Sequence, residues 1–140
     1  MPTIQFLVRP TPSQVDQLLT LYRQAGWWAD EAPDDPGLVA RIVDGSHCVA
    51  VARAGDAIVG MGRAISDGAS DAYIQDVTVL PAWQGRGLAS RIVAALVERL
   101  QADGLAWIGL IAERRSDAFY RRLGFAPMPA SLPMRFGGAQ

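Results

Sequence analysis

A glycine-rich turn that leaves an apolar strand and opens an amphipathic helix constrains this chain more than any other stretch. Residues 71–80 read as the strand. Tyr73, Ile74, Val77, Val79 and Leu80 form a nearly continuous β-branched and aromatic run, as a strand covered on both faces requires. Residues 88–100 read as the helix. Leu88, Ile92, Val93, Leu96, Val97 and Leu100 recur at helical spacing, and Arg91, Glu98 and Arg99 fall on the wet face. Between them stands Gln84-Gly85-Arg86-Gly87-Leu88-Ala89. Such a turn aims several backbone N–H groups at one point, where the start of the helix adds a partial positive charge. The combination is a cradle for phosphate. The plainer alternative is a strand-to-helix turn that uses glycine for its positive φ.

Three phosphate-binding patterns can be tried on this turn. The Walker loop needs Gly-Lys-Ser/Thr, and the chain contains no lysine. The dinucleotide fingerprint G-x-G-x-x-G is met by Gly85 and Gly87, but Ser90 stands at its third position. The pattern Q/R-x-x-G-x-G/A, after a strand ending V-x-V-x-P, is met by Gln84, Gly87 and Ala89 with Val77, Val79 and Pro81 upstream. A second segment, Phe119-Tyr120-Arg121-Arg122-Leu123-Gly124-Phe125, is similar to the F-Y-x-x-L-G-F near the end of many proteins that carry this pattern. On these two segments the chain resembles the GCN5-related N-acetyltransferases, the GNAT superfamily, and its small bacterial single-domain members in particular. Tyr73-Ile74-Gln75-Asp76-Val77 resembles a subgroup akin to arylalkylamine acetyltransferases.

The resemblance covers nearly the whole chain and implies an α/β (α+β) fold. It implies a mixed central sheet of six to seven strands with a splayed parallel pair, about four helices, and residues 1–140 as one domain. It also implies acetyl-CoA as co-substrate, without a metal. The residues it assigns to that co-substrate are Val77, Thr78, Val79, Gln84, Gly85, Arg86, Gly87, Leu88, Ala89, Ser90 and Tyr120. Members are often dimers, so a homodimer is an expectation by resemblance alone.

Composition narrows the partners. Half the residues are hydrophobic, enough for a core, and no run approaches the ~18 apolar residues of a membrane span. The start of the chain lacks the basic-then-apolar layout of a signal peptide, so a cytoplasmic location is expected. A net charge of −1 is poor for non-specific nucleic-acid binding. Cys48 and His47 are the single cysteine and histidine, which excludes an internal disulfide or a thiolate zinc cluster. Adjacent residues on a strand face opposite ways, so Cys48 reads as core and His47 as structural or exposed.

In chain order, residues 3–9 alternate as a first strand. Thr11, Pro12 and Gln14 supply a capping box and a proline at the first helical position, and Val15, Leu18, Leu19, Tyr22 and Ala25 make one apolar face. Residues 27–35 hold Trp27, Trp28, Asp30, Glu31, Asp34 and Asp35 around Pro33. The tryptophans can cover a core edge, or the aromatic faces and carboxylates can attract an ammonium. Asp35 caps a second helix. Residues 47–54 and 58–65 form a hairpin about Gly55-Asp56, with Gly60 and Gly62 marking a close approach or a weak strand. Residues 107–111 form a strand parallel to the signature strand, because a helix connects the two. Residues 116–123 form a short helix, and residues 128–136 can supply a last strand before fraying residues 137–140.

The implied reaction is transfer of acetyl from acetyl-CoA to the primary amine of a small cationic acceptor. Aromatic faces and carboxylates that can attract an ammonium make Trp27, Trp28, Asp30 and Glu31, with Tyr73, the candidate acceptor residues. Protein lysine or N-terminal acetylation, and a non-catalytic acyl-CoA-binding module, are the alternatives. Tyr120 matches the family's tyrosine and holds a proton at neutral pH, as a general acid must. A backbone N–H near Val77 would stabilise the oxyanion. The base stays open between Asp76, which alternation turns to the other face unless a bulge intervenes, and a water relay through Gln75. Glu113 stands where the family often has asparagine.

Overall fold

The capping box at Thr11 forms as its residue types require. In the computed structural model, which describes residues 1–138, the Thr11 hydroxyl accepts from the Gln14 backbone N–H at 3.2 Å, and the Gln14 side chain accepts from the Thr11 N–H at 2.9 Å. Helix α1 (Pro12–Gln24) follows, after strand β1 (Thr3–Phe6). Asp35 caps helix α2 (Pro36–Gly45) by accepting from the Leu38 N–H at 3.0 Å. Strands β2 (Cys48–Ala54), β3 (Ala57–Ser66) and β4 (Asp71–Val79) come next. A single 3-10 turn (Pro81–Trp83) leads to helix α3 (Leu88–Ala102), strand β5 (Trp107–Gly109) and helix α4 (Asp117–Arg122).

The chain divides into two compact units, Met1–Gly109 and the residues from Leu110 onward. The first unit holds the sheet, in the order β1-β2-β3-β4-β5. The first four strands are antiparallel to their neighbours, and β5 runs parallel to β4 through the α3 connection. Met61 of β3 packs in one cluster with Leu18, Leu21 and Tyr22 of α1 and with Val39 and Val43 of α2. Gly60 and Gly62, one residue out of phase, lie against Ile92 and Leu96 of α3. The helices α1 and α2 therefore cover one face of the sheet and α3 the other. Each fully buried leucine on these faces contributes ~1.5–3 kcal/mol.

The sheet has five strands among the described residues, where six to seven were expected. The missing strand is the one placed at residues 128–136, which adopts turns and irregular backbone. Pro129 and Pro133 offer no N–H to a ladder, and Ala130 turns the chain with a φ of 53°. The second unit is otherwise α4 and its flanks. Its Phe125 N–H donates to the Tyr120 carbonyl at 3.1 Å beyond Gly124, whose φ is 99°. Of the residues expected to fray, Ala139 and Gln140 lie outside the described residues.

Candidate active site

Strand β4 carries the site because its regular pairing fails in the middle. Gln75 pairs with Arg63 and Thr78 with Met61, so two residues, Asp76 and Val77, stand opposite Gly62 alone. This is a β-bulge. Asp76 takes a φ of 58°, a left-handed conformation that aspartate tolerates better than most residues. Simple alternation would send Asp76 toward α3. The bulge instead turns it to the α1 face beside Gln75, and Val77 toward Gly62 and α3.

Arg63 and Tyr22 hold the bulge from that face. The Arg63 Nε and the Tyr22 hydroxyl each donate to Asp76 Oδ2 at 2.6 Å. Arg63 also donates to Gln75 Oε1 at 3.1 Å and to Ser46 Oγ at 3.3 Å. The Arg63 and Asp76 side chains are only 15% and 21% exposed, so each charge depends on the other. Burial, and then the hydrogen bond to the Asp76 carboxylate, push the Tyr22 hydroxyl well above the usual tyrosine range. Arg63 and Tyr22 escaped the sequence reading. One signal was available: a lone arginine in the apolar run IVGMGRAI must find a carboxylate or face water.

The aromatic loop builds on the same tyrosine. Trp28 stacks on Tyr22 with centroids 4.8 Å apart and planes at 4°, and Trp27 meets it edge-on at 5.8 Å. Arg23 holds the loop from within. It pairs with Asp34 at 2.8 Å, donates to the carbonyls of Ala29 and Ala32, and lies over the Trp28 ring at 5.9 Å. Asp34 and Asp35 thus have structural tasks, whereas Asp30 and Glu31 stand exposed in the turn. Tyr73, 44% exposed, contacts Trp107 of β5 at 5.1 Å rather than the tryptophan pair.

Two further features complete the first unit's share. The parallel pairing of β4 and β5 stops at Tyr73 and Gly109, so β4 from Ile74 onward has no strand on that side among the described residues. Beyond β4, the Gln84 amide donates to the Val79 carbonyl at 3.1 Å and ties the turn to the strand end. Gly85 and Gly87 have φ of 77° and 78°, with open space where a Cβ would stand. Gly87 caps α3 without a side chain, so the first N–H groups of the helix receive no side-chain acceptor. Arg86 lies over the Trp83 ring at 4.6 Å, and Arg91 donates to the Pro2 carbonyl at 2.9 Å. A helix start left open in this way, behind two glycines of positive φ, has the arrangement of an anion-binding turn.

In the second unit, Tyr120 lies on α4, with ring contacts to Phe119 at 4.9 Å and Phe125 at 5.8 Å. Burial, with a smaller push from the Glu113 carboxylate, raises its hydroxyl above the ordinary value. Glu113 is exposed, and its carbonyl accepts from the Ser116 N–H at 3.0 Å. His47 and Cys48 take no part at the bulge. His47 Nε2 lies 2.7 Å from Asp103 Oδ2, and Cys48 is buried. No group of three or more His, Cys, Asp or Glu among the described residues could hold a metal ion.

Comparison with known proteins identifies the family and the fold. A chain from Streptococcus pneumoniae described as a GNAT-family acetyltransferase superposes with a TM-score of 0.76. It is 27% identical, and the match covers 100% of both chains. A rice protein described as serotonin N-acetyltransferase 2, chloroplastic, is 42% identical over 74 residues, 53% of this chain and 37% of its own length. A soybean protein described as histone acetyltransferase TAP1 is 38% identical over 79 residues, 56% of this chain and 34% of its own. The chain thus spans little more than a third of either plant relative. The family model described as acetyltransferase (GNAT) family matches residues 11–125, and the chain belongs to that family.

Proposed function

We propose that the chain transfers the acetyl group of acetyl-CoA to the primary amine of a small cationic acceptor, preferably one with an aromatic ring. The observation that carries this reading is the uncapped α3 start behind Gly85 and Gly87, after a strand whose parallel pairing ends at Tyr73. The cradle fits a diphosphate. The N–H groups of residues 85–90 would hold it, and Arg86 would neutralise charge at the rim. The open β4 edge at Val77, Thr78 and Val79 offers backbone groups to an extended amide-bearing arm.

When bound, acetyl-CoA supplies the thioester carbon that an uncharged amine attacks. The chain's own residues do the rest. A backbone N–H at the Val77 bulge donates to the acetyl carbonyl oxygen. Tyr120 is a phenol, protonated at neutral pH, whose hydroxyl burial raises further, and it would act as the general acid for the departing sulfur. Asp76 accepts from both Arg63 and Tyr22, which suits it to hold the bulge. Proton removal from the amine then falls to ordered water at Gln75. Trp27, Trp28 and the exposed Asp30 and Glu31 receive the acceptor's ring and cation. The rice relative's description as a serotonin N-acetyltransferase supports an aromatic amine. The soybean relative's description as a histone acetyltransferase keeps lysine peptides among the acceptors to test. The acetyl-CoA requirement supports a cytoplasmic setting.

The test is CoA release from acetyl-CoA with arylalkylamines, polyamines, aminoglycosides, amino acids and lysine peptides, against a no-acceptor control for Cys48. Turnover is expected with the arylalkylamines. Tyr120→Phe should lower kcat by roughly 10²–10⁴-fold while acetyl-CoA affinity stays within about twofold. An unchanged kcat removes Tyr120 as the acid. Acetyl-CoA binding without turnover on any amine overturns the enzyme reading in favour of a binding module.

A further inference from the structure

Tyr22 stands between two parts of the candidate site. Its hydroxyl donates to Asp76 Oδ2 at 2.6 Å, while its ring lies flat against Trp28 and meets Trp27 edge-on. The residue is only 3% exposed, so the packed ring aims the hydroxyl at one place.

Asp76 is the residue that needs holding. Its backbone is left-handed, with a φ of 58°, and a residue with a Cβ enters that region only at a cost. The carboxylate is met from two layers. Arg63 reaches it from β3 within the sheet, and Tyr22 reaches it from α1 above. Arg63 divides its donors among Asp76, Gln75 and Ser46, whereas the single donor of Tyr22 goes to Asp76. The Cα that carries this carboxylate also begins the planar peptide group that ends in the Val77 N–H. Anchoring the carboxylate therefore fixes where that N–H points.

We propose that Tyr22 is a positioning residue for acetyl transfer. Through Asp76 it fixes the direction of the Val77 N–H toward the acetyl carbonyl oxygen, and its ring ties that direction to the loop at Trp28. The proposal rests on the acetyl-transfer reading and adds to it a residue that acts through another. A hydrogen bond weakens as its angle opens, so a donor turned aside stabilises the developing oxyanion less. Loss of the hydroxyl slows the chemical step and leaves acceptor binding as it was. Loss of the Trp28 ring does both, because that ring stacks on Tyr22 and belongs to the loop assigned to the acceptor.

Tyr22→Phe keeps the ring and its stacking and removes the hydroxyl alone. At a temperature where parent and variant are both folded, amide hydrogen exchange at Asp76 and Val77 should be about tenfold faster in the variant, with the amides of β1 and β2 unchanged. On the best amine, kcat should fall by roughly 10–100-fold, while the acceptor KM stays within about twofold. Glycine takes left-handed backbone freely, so in an Asp76→Gly background Tyr22→Phe should change kcat no further. Unchanged exchange at both amides overturns the hold on the bulge. Faster exchange with an unchanged kcat overturns the positioning role and leaves the acetyl-transfer reading standing. A full further loss of kcat in the Asp76→Gly background overturns the route through Asp76. A parent chain that turns over no amine overturns the acetyl-transfer reading itself, and the exchange measurement then still decides whether Tyr22 holds the bulge.

Discussion

Arg63 meets three acceptors within hydrogen-bond reach: Asp76, Gln75 and Ser46. Its guanidinium is planar and carries its donors in a fixed fork, which is why it can pin a carboxylate and an amide on neighbouring residues at once. Without it, Asp76 keeps only the Tyr22 hydroxyl, and a half-buried charge is left short of partners. Arg63→Leu should therefore destabilise the fold, by somewhat less than the roughly 3–5 kcal/mol for breaking one side of a fully buried pair, because both side chains keep some exposure. Urea denaturation measures this. Asp76→Ala should cost less in the Arg63→Leu background than alone, because the charge that needed Arg63 is then absent. Strict additivity of the two losses would show that the pair contributes nothing to stability. Tyr22 belongs to the same unit of action: its ring supports Trp28 while its hydroxyl holds Asp76, so the aromatic loop and the bulge share one side chain.

Among the elements, α3 and β3 fit by virtue of a missing side chain. A Cβ on Gly62 would sit 2.8 Å from Ile92 Cγ2 and 3.1 Å from Leu96 Cδ1. Alanine has the better strand propensity, yet Gly62→Ala should lower stability by about 1–3 kcal/mol through overpacking. Adding Ile92→Ala to Gly62→Ala should cost less than Ile92→Ala costs in the parent chain, since the new methyl fills part of the space. Thermal melts of the four proteins decide it, and a simple sum of losses would count against the contact. The close approach was legible in Gly60 and Gly62, as were the capping box, the hairpin and the strand–cradle–helix unit, because each depends on residues only a few positions apart. The bulge was not legible. It depends on the φ of Asp76, and its supports come from residues 13 and 54 positions away. The last strand expected at residues 128–136 was already interrupted by Pro129 and Pro133, and their missing N–H groups decide against it.

Across the whole molecule, the lack of lysine makes alkaline stability unusually easy to read. Arginine keeps its charge to above pH ~12. Titration of side chains between pH ~8 and ~12 therefore falls to cysteine and tyrosine. Burial raises the Cys48 thiol, burial and Asp76 raise Tyr22, and burial with Glu113 raises Tyr120. In each case the folded chain favours the neutral form. Each contribution is therefore complete below the unfolded-state value, ~8.5 for cysteine and ~10 for tyrosine, and is lost as pH rises through the folded-state value. At the acid end the sign reverses. The hydrogen bond from His47, and then Arg99, lowers the Asp103 carboxyl, so its contribution is present above ~3.9 and fades as pH falls through the lower folded-state value. As far as these four groups determine it, the melting temperature should be level from about pH 5 to pH 8 and should decline on the alkaline side, most steeply above about pH 10. Tyr22→Phe should lower the plateau, because the hydrogen bond to Asp76 is worth about 1.5–3 kcal/mol. The same change should flatten the decline above pH ~10. Melts of the parent, Tyr22→Phe and Cys48→Ala across this range separate the groups. If Tyr22→Phe leaves the alkaline slope as steep as the parent's, the hydroxyl beside Asp76 is not what the fold loses at high pH.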